Sequence, residues 1–588
     1  MSNSFNSFIP SDDSSRKTIL ENLSQNIFVE AGAGTGKTTI LVERIVNLIE
    51  SGLATIDSIA AITFTNSAAE ELKIRIREKL DRCSQDEDKT IIQRERSFRG
   101  VNDIDKATIS TLHGFASSIL RFKPLEAGLP PGFAIMDAVQ TKLMFRKQFR
   151  EWRDIAINDP SLEQYWLTYF SYGFGIHNLE KLSFDLMEKF HLLDQTENIL
   201  FDDRLPNDSP SIFIHKIQSD LEDVLEYNSN PDDKLFFILN EFKTSLDSMV
   251  FEKDEILNFT NFITCIDNFK MGNFGSKTNW EISPKSIRDI VKDSIAPMKQ
   301  QASESIAVFR FIDIKPLFES ISGFVIDAAK QRKIMGMVGF SDLLLWARNL
   351  LRDDLEVRDY FRNKFSHLFI DEFQDTDPIQ VEIAFFIAEE CVRTDLVRPN
   401  SWKDIETVSG KLFFVGDPQQ SIYKFRNADI EILNDVQSKM EIPPIQLSQN
   451  FRSQKPILDW VNYGFERLIG QGTYFEDTNL LLSPKYSPLS HYRDEIKESV
   501  GMNSSVWYLG DPEVQDSKMG VVRENEASEV CKLLSGLKSM KFWVRDSKTP
   551  EGKRHAKFSD VVILIQNRSG LNILESMLED EEIPYRVE

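Results

Sequence analysis

The chain has 588 residues, 41% of them hydrophobic, and carries 92 acidic against 69 basic side chains for a formal charge of -23. That length suits several cores, about four domains on size alone, while the charge weighs against a protein that grips nucleic acid through a generally basic surface. No apolar run nears the ~18 residues of a membrane helix, so a cytoplasmic protein with no membrane partner is expected.

The start, "MSNSFNSFIPSDDSSRK", has neither an apolar signal core nor an arginine-rich transit character. Cys83, Cys265, Cys391 and Cys531 are too scattered to cage zinc, and any metal is expected to be a hard cation on oxygen ligands.

The first element is "NIFVEAGAGTGKTTILVERIVNLIE". Ile27 to Val29 read as a buried strand, and Leu41, Ile45 and Leu48 recur at helical spacing after a glycine-rich turn. Within it Ala31, Gly32, Ala33, Gly34, Thr35, Gly36, Lys37 and Thr38 satisfy the phosphate-loop pattern, with Ala31 where the first glycine usually stands. Backbone N–H groups curl around phosphate, the helix start adds its positive end, Lys37 reaches the outer phosphates and Thr38 ligates magnesium.

A second strand and helix follow: Ile59 to Phe64, a cap at Asn66, then Leu72, Ile76 and Leu80 on one face. "SQDEDKTIIQRERSFRGVNDIDK" reads as a solvated connection, and Ala107 to Leu120 as a fainter third unit. From about Lys123 to Lys333 the texture turns helical, aromatic and acidic, as in an inserted domain.

Strand-like runs resume at Leu368–Ile370, Leu412–Val415 and Ile445–Leu447, which predicts an α/β fold whose parallel sheet is discontinuous in sequence, with its ligand at the carboxyl ends of the strands. A last region opens at "NFRSQKPILDWVN" and holds a further buried strand, Asp560 to Ile565. A helix with Leu571, Leu574 and Leu578 on one side comes next, and another strand begins at "IPYRVE".

Three of these later strands end in chemistry. "HLFIDEFQDTDPIQ" delivers Asp371 to hold the magnesium and Glu372 to accept a proton from the attacking water. Asp375 and Asp377 either join them or cap the helix beginning near Pro378. "KLFFVGDPQQSIYKFRNADI" offers Gln420 as a sensor of the terminal phosphate, followed by Tyr423, Phe425 and Arg426, where a base on a ring is worth ~1–3 kcal/mol regardless of sequence. In "IQLSQNFRSQKPIL", Arg452 can stabilise transferred charge and Phe451 can stack on adenine.

Taken together, "AGAGTGKT", "TFTNSAAEEL", "ISTLHGFA", "IDEFQDTD", "VGDPQQSIYKFR" and "QNFRS" resemble superfamily 1 DNA helicases of the UvrD/Rep type, and the later segments resemble the RecB/AddA branch. The resemblance implies an ATP- and Mg2+-dependent translocase moving 3′ to 5′ on a single strand, with two RecA-like domains. It implies that Phe64, Thr65, Asn66, His113, Tyr423, Phe425 and Arg426 face DNA, and that Lys37, Thr38, Asp371, Glu372, Gln420, Phe451 and Arg452 face MgATP.

Residues 1–122 and 336–445 would form the first motor domain, 123–335 a helical insertion and 446–588 an incomplete second RecA-like domain. Single-stranded or end-containing double-stranded DNA is the expected partner, with a nuclease or second helicase subunit. Ser67 replaces the family's usual lysine, and its adenine-reading glutamine is replaced near Ser15 and Arg16. Nothing after Arg452 resembles the later helicase motifs or a nuclease pattern, so a fragment of a longer protein is expected. A non-catalytic ATP-dependent subunit that binds DNA or protein is the alternative.

Overall fold

The structure is a computed structural model that describes residues 10–189, 209–390, 399, 401–421, 430–440, 443–470, 473–474, 481–483, 485–493, 506, 518–539, 542–546, 549 and 552–587. It divides into two compact units, residues 1–127 with 346–588, and residues 128–345.

The first unit begins with α1 (Asp13–Glu21), β1 (Ile27–Ala31) and α2 (Lys37–Ser51). β2 (Ile59–Thr63), α3 (Asn66–Gln85), α4 (Ile91–Asn102), β3 (Thr108–Thr111) and α5 (Leu112–Phe122) follow. Strands β1 and β2 are near-continuous apolar runs because helices cover both faces of a parallel sheet. Ile27, Val29, Leu41, Ile45, Leu48, Leu72, Ile76 and Leu80 accordingly share one buried cluster.

Two expectations fail here. The charged stretch after α3 is no solvated connection, because Thr90 and Gln93 form a reciprocal capping box that starts α4, satisfying otherwise orphaned N–H groups. Gly100 then lets Leu80 approach to 3.1 Å of where a Cβ would stand. The cap of α3 is Thr65, whose side chain accepts from the Ala68 N–H, and Asn66 is already helical.

Among the described residues the second unit is mainly helical, with a short parallel pair, β4 (Ala134–Ile135) with β5 (Met337–Val338). Its spine is the 52-residue helix Pro284–Met335, about 78 Å long at 1.5 Å per residue. Near its end Arg332 makes a two-pronged ion pair with Asp342, both contacts 2.9 Å and both side chains at most 5% exposed.

The chain returns to the first sheet through β6 (His367–Ile370), β7 (Leu412–Gly416) and β8 (Ile445–Leu447), followed by β9 (Gln449–Gln454) outside it. The order β3-β2-β6-β7-β1-β8 is parallel throughout, with Ile59 opposite His367, Leu368 opposite Leu412 and Ile27 opposite Phe413. Every strand therefore ends on the same edge, where ligands bind in such sheets.

Beyond β9, the helix Met519–Ser539 packs on Leu571–Asp580 around Cys531, Leu534, Leu578 and Ile583. The expected strand Asp560–Ile565 is not formed. Val562 is 80% and Leu564 91% exposed, and the run pairs with no strand among the described residues. An apolar run becomes a parallel strand only when neighbours offer it a ladder, and residues 583–587 likewise form no strand. No described helix is long and apolar enough to cross a membrane.

Candidate nucleotide site

The loop between β1 and α2 is shaped by glycines where other residues would be strained. Gly34 and Gly36 have φ of +74° and +88°, a region that L side chains disfavour. A Cβ on Gly34 would also stand 2.8 Å from Arg452 Cβ and from Asn450 Nδ2. Buried Thr35 closes the loop by donating its hydroxyl to the Gly32 carbonyl at 2.8 Å.

The start of β9 clamps the loop from outside. Asn450 Nδ2 donates to the Ala33 carbonyl at 2.6 Å, and the Phe451 N–H donates to the Gly34 carbonyl at 2.9 Å. From α1, Arg16 donates to the Thr35 carbonyl at 2.9 Å and lies over the Phe451 ring, 5.0 Å from its centre. Asp12 holds Arg16 by two contacts of 2.7 and 3.0 Å and also accepts the Ser448 and Gln449 N–H groups. The position where an adenine-reading glutamine was expected thus holds a guanidinium fixed against the loop and the ring.

Asp371 and Glu372 follow β6 directly. Lys37 Nζ lies 2.7 Å from Glu372 Oε2, so the structure brings together two groups 335 positions apart. Glu372 has φ of +52°, left-handed for a residue with a Cβ. Burial pushes the Glu372 carboxyl up, but the Lys37 ammonium and hydrogen bonds from Gln374 and Lys37 outweigh it and leave it below its ordinary value.

Asp371 goes the other way. Burial first, then the Glu372 charge, raise it to about 6. Asp375 is raised to about 6 by the same two causes, and its Oδ1 is buried with no hydrogen-bond partner. Asp375 therefore does not cap the following helix; Asp377 does, accepting the Ile379 N–H at 2.8 Å.

Three carboxylates against one ammonium, with an orphaned buried carboxylate oxygen among them, make an oxygen-rich site of net negative charge. That donor set fits a hard divalent cation such as Mg2+, which keeps several waters and takes only one or two carboxylates. Among the described residues no three-ligand His/Cys/Asp/Glu group is set to hold a metal by itself. Thr38, half-buried in the first turn of α2, and Asp371 are the residues that would hold Mg2+ here.

Gln420, in the turn after β7, donates to Asp417 Oδ2 at 2.6 Å. Phe64 and His113 lie one and two residues beyond Thr63 and Thr111, which face each other across β2 and β3, so both sit at the same sheet edge. Phe64, Thr65 and Asn66 are exposed and His113 half-buried. Arg452 is exposed beside Gly34. Tyr423, Phe425 and Arg426 lie outside the described residues.

Sequence reasoning missed Asp12, Gln374 and Asn450 as parts of the site, and gave no role to Arg16 or Asp417. Gln374, Asp417 and Asn450 stand inside the motifs already singled out, and Asp12 and Arg16 have the i, i+4 spacing of a helical ion pair.

A phosphate loop at the end of one strand, with an acid pair at the end of another strand of the same parallel sheet, defines a RecA-like P-loop nucleotide-binding protein. The model of the UvrD/REP helicase N-terminal domain matches residues 12–441. The chain belongs to that family.

Among curated proteins it is similar to an ATP-dependent helicase/nuclease subunit of Listeria welshimeri, 24% identical over 95% of this chain and 47% of the relative. The proteins of the same description from Pediococcus pentosaceus (27%, over 82% and 41%) and Alkaliphilus oremlandii (26%, over 94% and 47%) are comparably similar. The chain spans about half the length of these relatives.

Proposed function

We propose that this chain is the ATP-hydrolysing part of a DNA helicase that translocates 3′ to 5′ on a single strand, within a RecB/AddA-like helicase–nuclease of double-strand-break repair and recombination. The observation that carries the reading is the 2.7 Å contact between Lys37 and Glu372 at the mouth of the phosphate loop. A generic phosphate loop does not require a carboxylate on its lysine. A carboxylate there suits an ATPase, because an acceptor beside the group that binds the terminal phosphate can position the attacking water and take its proton.

In this reading residues 31–38 cradle the phosphates, and Lys37 leaves Glu372 for the triphosphate. Glu372, with its depressed carboxyl, then accepts the proton of the attacking water. Mg2+, held through Thr38 and Asp371, would neutralise charge developing on the phosphates. Phe451 and Arg16 border the base, Arg452 enters from residues 446–588 as part of the second motor domain, and Gln420 reads the terminal phosphate. Phe64, Thr65, Asn66, His113, Tyr423, Phe425 and Arg426 follow the DNA strand. The protein works in the cytoplasm with a partner subunit.

Glu372→Gln tests this. In the protein as its gene encodes it, DNA-stimulated ATP hydrolysis is expected to fall by ~10²–10⁴-fold while MgATP still binds. Unchanged hydrolysis would remove the chemical basis of the motor and favour a subunit that only binds DNA or protein under nucleotide control.

A further inference from the structure

We propose that Gln374 is a positioning residue that holds Glu372 in its working place once nucleotide has drawn Lys37 away, an inference that rests on the ATPase reading above and deepens it. Gln374 Nε2 lies 2.9 Å from Glu372 Oε2, the same oxygen that Lys37 touches at 2.7 Å. The opposite end of the amide, Oε1, accepts the Asp417 N–H at 2.8 Å. The Gln374 backbone carbonyl accepts from the Ser421 hydroxyl at 3.2 Å.

The orientation of that amide follows from chemistry. A backbone N–H can only donate and a carboxylate can only accept, so Oε1 must face Asp417 and the NH2 must face Glu372. No other uncharged side chain of this length offers an acceptor at one corner and a donor at the other. The strand end is shaped to admit it: a Cβ on Gly416 would lie 2.7 Å from Gln374 Oε1 and 3.1 Å from the Gln374 backbone nitrogen.

Glu372 needs such a holder. Its left-handed backbone is a conformation that persists only when the surroundings over-determine it, and the side-chain partners of its Oε2 are Lys37 and Gln374. Binding a triphosphate engages Lys37, which leaves Gln374. The amide also joins three strand ends in one chain of contacts, Lys37 to Glu372 to Gln374 to Asp417, and on to Gln420 at 2.6 Å. A shift of the segment after β7 therefore pulls on Glu372 through Gln374.

The test uses Gln374→Glu, Gln374→Met and Gly416→Ala in the protein as its gene encodes it, with steady-state MgATP hydrolysis and binding of a fluorescent non-hydrolysable ATP analogue. Gln374→Glu keeps an acceptor for the Asp417 N–H but loses the donor to Glu372; Gln374→Met keeps only the bulk; Gly416→Ala pushes the amide from behind. All three are expected to bind the analogue within about threefold of wild type, with KM similarly unchanged. Their kcat is expected to fall at least about tenfold, toward the ~10²-fold cost of misplacing a reacting group by an ångström.

Packing alone predicts a different split, in which Gln374→Met retains wild-type kcat while Gln374→Glu, which sets a second carboxylate beside Glu372, does not. That result overturns the proposal and leaves the ATPase reading intact. Absence of hydrolysis by the wild-type protein overturns the ATPase reading and this proposal with it.

Discussion

Replacing Lys37 by alanine in the nucleotide-free protein removes the ammonium that contacts Glu372 and leaves the Glu372, Asp371 and Asp375 carboxyl groups without its charge. The Lys37 and Glu372 side chains are 12% and 34% exposed. At their separation of 2.7 Å, an effective dielectric of about 20 gives a gross attraction of ~6 kcal/mol. Desolvation of both ions takes back most of it, and the open side of Glu372 screens part of the rest, so Lys37→Ala should cost about 1–3 kcal/mol.

Much of that cost is the stranded carboxylate. Adding Glu372→Gln to Lys37→Ala should therefore restore stability, with a coupling of about 1–2 kcal/mol between the two sites. Urea unfolding of wild type, both single variants and the double variant, in excess chelator and without nucleotide, measures the cycle. Strictly additive losses, or a Lys37→Ala protein as stable as wild type, would mean that the ion pair does not organise the empty site.

His367, at the start of β6, is lowered to about 4 by burial, then by the charges of Arg44 and Lys411. A histidine kept neutral in the folded state binds its proton only on unfolding. Its contribution is thus complete above the ordinary value of 6.5 and is lost as pH falls toward 4. Asp371 and Asp375, both raised to about 6, act oppositely between 6 and 3.8, so the histidine is isolated by difference. Between pH 7 and pH 5 wild type should lose about 2 kcal/mol relative to His367→Gln in urea unfolding; parallel pH curves would contradict the burial argument. In the helical unit, Asp342→Ala strands buried Arg332 and the Gly339 N–H that Asp342 also accepts. A loss of about 3–5 kcal/mol is expected, and a thermal melt of that unit within 1 °C of wild type would count against it.

Local rules made much of this molecule legible. The glycines of the phosphate loop announce left-handed backbone, and Leu41, Ile45, Leu72 and Ile76 announce helix faces, because both signals act within a few residues. The apolar runs at 27–29, 59–64, 368–370 and 412–415 read as strands for the same reason, and strands form there at 27–31, 59–63, 367–370 and 412–416. The same rule misled at 560–565, where an equally apolar run has no ladder to join. At 84–106 high charge concealed the Thr90 and Gln93 cap that builds α4.

The amino-acid sequence by itself determined which chemical groups stand at strand ends: a lysine after a glycine turn, an acid pair after β6, an amide after β7. Those are consequences of backbone preference and apolar spacing over short distances. Only the tertiary structure decided which of them meet. The contacts between Lys37 and Glu372, Asn450 and Ala33, and Gln374 and Asp417 span 335, 417 and 43 positions. They exist because β7 and β1 pair in register and carry every strand end to one edge, a result of long-range pairing that short-range pattern does not encode.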